Sequence, residues 1–259
     1  MSDYENLIRQ VASGIFGEES SLETPEGIQT KIHPLPAKKD VQVRLDEASH
    51  PLALLATRDA EEVRSFYSTK WNFPDFPHLQ KLAVSILTFP QLALSECDNE
   101  FWITFSESDD ISVSIPGESD MPDGFFAKYP FAAKDGILEF FQCFGGLTDW
   151  TPPPGGVFYT AQEALEIDVH PAVELFDITG WEGSLPLYKG GSGDGILIRP
   201  NGTVGCFYHE AVGIAGEEPL GEIDYTFPSL IEHFADYIRQ PAEGNYCGNE
   251  QKDESPFYY

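Results

Sequence analysis

The stretch LPLYKGGSGDGILIRPNGTVGCFYHE, Leu185 to Glu210, decides the fold. Its five glycines between Gly190 and Gly202 have the look of a loop that cradles a phosphate. Such a cradle needs backbone N–H groups at a helix N-terminus, with a Lys and a Ser or Thr to reach the phosphates and their metal. Here the glycines run into Ile196-Leu197-Ile198, a β-branched-rich run that reads as strand, and the nearby Lys189 comes before them. Pro200-Asn201-Gly202 then separates that strand from a second one, Val204 to Tyr208. Asn-Gly is the strongest short hairpin signal, because both central residues of a type I′ turn take positive φ. The stretch therefore predicts a glycine-rich turn, GGSGDG, entering an antiparallel hairpin.

On either side of it the chain reads as helix and strand in mixture. Lys134 to Phe144 places Ile137, Leu138, Phe140, Phe141 and Phe144 on a broad apolar helical face, and Gly145-Gly146 supplies a left-handed stop. Leu147 to Gly156 reads as a Pro-rich loop leading to Val157-Phe158-Tyr159 and a short helical AQEAL. Thr226 caps an amphipathic helix with Leu230, Ile231, Phe234 and Ile238 on one face.

Toward the N-terminus, Tyr4 to Phe16 has helical spacing, and Gly17 to Asp40, broken by prolines and charge, reads as an irregular arm. Asp59 is a plausible N-cap for AEEVRSFY, and Pro77 to Leu94 reads as an apolar helix interrupted by Pro90. Glu100 to Phe105 and Asp110 to Ile115 read as a hairpin turning at Ser106 to Asp109. The polar stretch Gly117 to Gly124 marks a boundary between an N-terminal α+β region of unknown type (1–124) and a second domain (125–240), followed by a polar tail (241–259).

Charge is the most unusual global property: 43 acidic against 15 basic residues, a formal net charge of −28. Phe141 to Tyr259 holds nineteen acidic residues and four basic ones, Lys189, Arg199, Arg239 and Lys252. Such a field repels nucleic acid and anionic membranes and speeds encounter with basic partners; a solvated surface that maintains solubility is the alternative. The chain has no apolar run long enough to span a membrane, and MSDYENLIRQ lacks a secretory pattern, so a cytoplasmic protein is expected. Cys97, Cys143, Cys206 and Cys247 are scattered and are expected to be free thiols.

The residues point away from catalysis. No His pair stands at i and i+4, and Cys206 with His209 lacks a second ligand pair, so no metal or other cofactor is expected. Ser192 lacks the final glycine of a nucleophile elbow, and Glu217-Glu218 reads as a solvated loop. Asn201-Gly202-Thr203 fits a glycosylation pattern, but the turn explains it. Trp150 and Trp181 are either exposed anchors at an interface or covers for the edge of the core.

Three segments carry a family resemblance: ILEFFQCFGGL at 137–147, SLPLYKGGSGDGILIRPNGTVGCFYHE at 184–210 and FPSLIEHFADYI at 227–238. In their order the chain from Phe125 to Gln240 resembles the SUKH superfamily, which includes a fungal cell-wall-assembly regulator and many bacterial toxin-immunity proteins. Where that family usually has Asn-Gly after the first helix, this chain has Gly145-Gly146. The resemblance implies an α+β fold, a twisted, mainly antiparallel sheet with packed helices, that binds other proteins without catalysis. The expected function is thus an immunity or regulatory protein whose partner is a basic protein, such as a toxin, and neither nucleic acid nor membrane. Asp149, Trp150, Glu182, Asp194 and Glu210, around the glycine turn, are the expected partner-binding residues. The competing expectation is a small-molecule or carbohydrate-binding protein or hydrolase with its site between the N- and C-terminal regions.

Overall fold

The structure, a computed structural model, describes residues 31–97, 100–108, 111–117, 121–149, 156–167, 181–190, 194–207, 220–239 and 256–257. Among these residues, one antiparallel sheet holds ten strands in chain order: β1 (Lys31–Pro34), β2 (Gln91–Cys97), β3 (Glu100–Ser108), β4 (Ile111–Ile115), β5 (Thr148–Asp149), β6 (Gly156–Phe158), β7 (Leu185–Gly190), β8 (Gly195–Ile198), β9 (Thr203–Phe207) and β10 (Leu220–Thr226). The helices are α1 (Lys39–Glu47), α2 (Ala53–Ala56), α3 (Ala60–Lys70), α4 (Pro77–Leu87), α5 (Phe125–Lys128), α6 (Ile137–Phe144), α7 (Ala161–Glu166) and α8 (Phe227–Tyr237). The fold is α+β, with helices packed on an antiparallel sheet.

Strand alternation sorts the sheet into two faces. Leu94, Ile103 and Ile115 are register neighbours, as are Phe105 and Val113, and all are buried. The same face continues through Phe158, Tyr188 and Ile196, again register neighbours and buried. A chain of rings joins this face to the helices: Trp71 lies 5.0 Å from Phe144, Phe140 5.0 Å from Phe158, and Phe158 4.7 Å from Phe234. The opposite face carries a row of hydroxyls, Ser95 to Thr104 at 2.6 Å and Thr104 to Ser114 at 2.7 Å, which satisfy one another across three strands.

The helix boundaries follow from their caps. Asp59 accepts from the Glu62 N–H while the Glu62 carboxylate accepts from the Asp59 N–H, closing a capping box on α3. Thr160 and Thr226 start α7 and α8 with boxes to Glu163 and Ser229. α6 begins later than the sequence predicts, at Ile137, because Asp135 (φ 55°) and Gly136 (φ 76°) are left-handed and cannot continue a right-handed helix. Leu138 is accordingly only half-buried, whereas Ile137, Phe140, Phe141 and Phe144 are enclosed. The glycine stop holds: Gly146 has φ 78° and donates to the Phe158 carbonyl at 3.0 Å.

Several expectations are corrected. The segment read as one helix to Leu94 is helix α4 and strand β2, split at Pro90, where proline has no N–H to continue a helix. The arm read over Gly17 to Asp40 contains β1 and the start of α1, while 17–30, like the helix read at Tyr4 to Phe16, lies outside the described residues. β3 extends to Ser108, so Ser106 to Ser108 are strand rather than turn, and the Pro-rich loop contains β5. The sheet does not break at residue 124: β4 and β5 pair across it, Val113 with Asp149 and Ser114 with Thr148, and one core draws on both sides. Within the segment read as a polar tail, Pro256 and Phe257 are buried.

The opening stretch folds as two linked hairpins. β7 and β8 pair with Lys189 opposite Gly195, and the Gly190 N–H donates to the Asp194 carbonyl at 2.8 Å, so GGSGDG joins them; 191–193 lie outside the described residues. β8 and β9 follow, closed by the Gly202 N–H donating to the Arg199 carbonyl at 2.9 Å. This turn differs from the type I′ expectation. Gly202 has φ 90°, but among the described residues other than glycine only Ser49 and Asp135 have positive φ. Asn201 works through its side chain instead, its Oδ1 accepting from the Thr203 N–H at 3.0 Å and the Thr203 hydroxyl at 2.9 Å.

Candidate interaction site

The second face of the sheet, across β8, β9 and β10, gathers a compact constellation. Leu197, Gly205 and Glu222 are register neighbours, and Gly205 lies under the Trp181 indole so closely that a Cβ there would meet the ring at 1.9 Å. The Arg199 guanidinium stacks on the same ring, 3.6 Å from its centroid, and its Nη1 donates to Glu222 Oε2 at 3.0 Å. Trp181, 4% exposed, is therefore a cover over the strand pair rather than an open anchor. A cation this close to an indole is stabilised by the ring quadrupole as well as by the carboxylate.

Acidic side chains are exposed on both the sheet and the helix layer. On β10 Glu222 and Asp224 point to solvent, and α8, which begins where β10 ends, exposes Glu232 and Asp236. Arg199 meets Glu222, and Lys81 of α4 meets Asp236 at 2.6 Å. Asp224 and Glu232 have no ion-pair partner among the described residues.

The five residues expected to bind a partner separate in the structure. Glu182 is exposed beside Trp181. Asp149 has no accessible surface and lies on β5, paired with Val113 on the core face. Burial first, and then the charge of Asp149, push the Tyr188 phenol well above its ordinary value. Asp194 is 5% exposed at the mouth of the glycine turn. A carboxylate enclosed in this way does not make first contact with another protein, so Asp149 and Asp194 are corrected to internal roles. Trp150 and Glu210, with His209, Ser192 and Glu217-Glu218, lie outside the described residues. The sequence reading missed Arg199, Glu222, Asp224, Glu232 and Asp236. A glycine inside the strand pattern Val204-Gly205-Cys206 was a usable signal for close approach by another group.

A second concavity, of about 520 Å³, lies between α2, α3 and α6. Leu54, Phe66, Lys70, Met121, Gln142 and Cys143 line it, and Leu54 is 61% exposed. Arg58 and Lys70 stand over the Phe66 ring at 5.5 and 5.7 Å. Burial pushes the Cys143 thiol upward, so it is protonated at neutral pH and a poor nucleophile.

Among the described residues no group of His, Cys, Asp and Glu is arranged to hold a metal ion, and no helix is long and apolar enough to cross a membrane. No family model matches the chain, and neither a curated protein nor a solved structure does.

Proposed function

We propose that the protein is a non-enzymatic interaction protein that engages a partner with a basic surface, as an immunity or regulatory protein of the SUKH kind does. The observation that carries this reading is the exposure of acidic side chains on both layers, Glu222 and Asp224 on β10 and Glu232 and Asp236 on α8, in a chain of net charge −28. Two carboxylates on β10, the last strand of the sheet order, also guard it against pairing with a foreign strand, so the partner meets side chains rather than extending the sheet. Rim carboxylates of this kind act mainly on the rate of encounter.

The test is to recover the partner with the full chain and follow its association at several salt concentrations, with the wild type and with Asp224→Lys combined with Glu232→Lys. Association slows as ionic strength passes about 0.15 M, where charges are screened over roughly 8 Å, and slows further on charge reversal. A rate indifferent to both sinks the reading and leaves the acidity as a solubility property.

The concavity between α2, α3 and α6 favours a second reading, a small-molecule site where the N- and C-terminal regions meet. A saturable rise in melting temperature with an apolar small molecule, lost in Leu54→Asp, supports it.

A further inference from the structure

Phe257 is 1% exposed and sits in a cage of five rings. Its centroid lies 4.9 Å from Phe234, 5.0 Å from Tyr188, 5.8 Å from Tyr237 and 6.2 Å from Phe158, and it stacks at 15° on His233, 6.1 Å away. The cage walls belong to β6, β7 and α8, which do not depend on Phe257 for their own pairing: β6 pairs with β7, β7 with β8, and α8 packs on α4. Sixteen residues, 240–255, join α8 and Arg239 to Pro256, and the four before Pro256 are Lys-Asp-Glu-Ser. Phe257, with the buried Pro256 before it, fills the cage as an anchor residue fills a pocket.

We propose that the cage is a recognition site for a Pro-Phe segment, filled in cis by Pro256-Phe257 and open to exchange with an equivalent aromatic peptide. The inference is independent of the acidic-surface reading. Covalent linkage makes binding of this segment intramolecular, with an effective concentration of order millimolar for a short linker, so a single-ring ligand stays bound in cis although its affinity as a free peptide is weak. An outside segment competes when it matches that local concentration or binds more tightly.

The experiment uses a fluorescent peptide of residues 252–259 and the full chain. The Phe257→Ala chain binds it saturably, the wild type binds at least about tenfold more weakly because its own segment competes at that local concentration, and a peptide with Phe257→Ala does not bind. A wild-type chain with a protease site placed between residues 241 and 251, cut in the folded state, exchanges its own segment for the labelled peptide and gives the same reading without a core substitution. Folded Phe257→Ala that ignores the peptide, a cut chain that never exchanges, or binding indifferent to the peptide's phenylalanine overturns the proposal.

Discussion

Glu96 on β2 receives both ends of the Arg44 guanidinium from α1, Nη1 to Oε1 at 2.7 Å and Nη2 to Oε2 at 2.9 Å. The carboxylate is 2% exposed, and His33 Nε2 at 2.8 Å and Lys31 Nζ at 3.5 Å complete its surroundings. Arg44 also lies over the Phe101 ring at 5.3 Å. A buried carboxylate is tolerable only with such pairing, and here it fastens α1 and β1 to the sheet.

Separating this pair costs stability. Glu96→Gln is expected to lower the unfolding free energy by about 1–3 kcal/mol at neutral pH, discounted because Arg44 is partly exposed. Arg44→Ala costs more than Glu96→Gln, since it leaves the enclosed charge behind. Denaturant midpoints of the two variants and of the double variant measure the coupling; additive effects would show that the pair is not a unit.

Acid acts in two stages. Burial lowers the pKa of His50, His78 and His233, so the folded chain favours their neutral forms and loses stability as pH falls below 6.5. The hydrogen bonds from Arg44 outweigh the burial of Glu96, and with those of His33 bring its carboxyl from 4.5 to about 2. Its contribution is complete above 4.5 and disappears as pH falls through about 2. Denaturation midpoints from pH 8 to pH 2 show both declines, and Glu96→Gln flattens the second; an unchanged second decline would reject the assignment.

The turn at Pro200-Asn201-Gly202 separates two mechanisms. Gly202→Val forces a β-branched residue to φ 90° and is expected to cost about 1–2 kcal/mol or more. Asn201→Ala removes two acceptor contacts from an exposed loop and costs about 0.5–1.5 kcal/mol. An unchanged midpoint in Gly202→Val would argue against this turn.

Gly205→Ala drives a methyl into the Trp181 ring, which is held against the strand and carries Arg199 on it. A loss of about 1–3 kcal/mol is expected, as for overpacking, with a change in tryptophan near-ultraviolet dichroism. Trp181→Phe combined with Gly205→Ala recovers part of it; an unperturbed single variant would mean that the indole lies elsewhere.

Much of the fold was readable where a residue type has one physical use. Asp59 and Thr226 marked helix starts, Gly146 a stop, and Pro-Asn-Gly a hairpin, because caps and turns are local. β10 was not readable: Leu220 to Thr226 alternates weakly apolar with acidic residues and owes its conformation to pairing with β9. Likewise α1, with Lys39, Asp40, Arg44, Asp46 and Glu47 among nine residues, reads as a polar arm until Val41 and Leu45 find their cover. The acidic surface was legible as a total but not as a place. Asp194, in the glycine turn, and Asp149, at the start of the Pro-rich loop, read as surface positions yet fall inside, while Asp224 and Glu232 face out because strand pairing and helix phase assign them there.

The sheet order equals the chain order from β1 to β10, and that has a meaning for synthesis on the ribosome. Each strand after β1, as it leaves the exit tunnel, finds the neighbour that precedes it already made, and only its outer edge waits for the next strand. The helix layer is timed differently: α4 emerges early with one apolar side uncovered until α8, about 140 residues later, docks against it. During that interval the exposed apolar side is open to aggregation, and docking of α8 closes it once the whole sheet has been made.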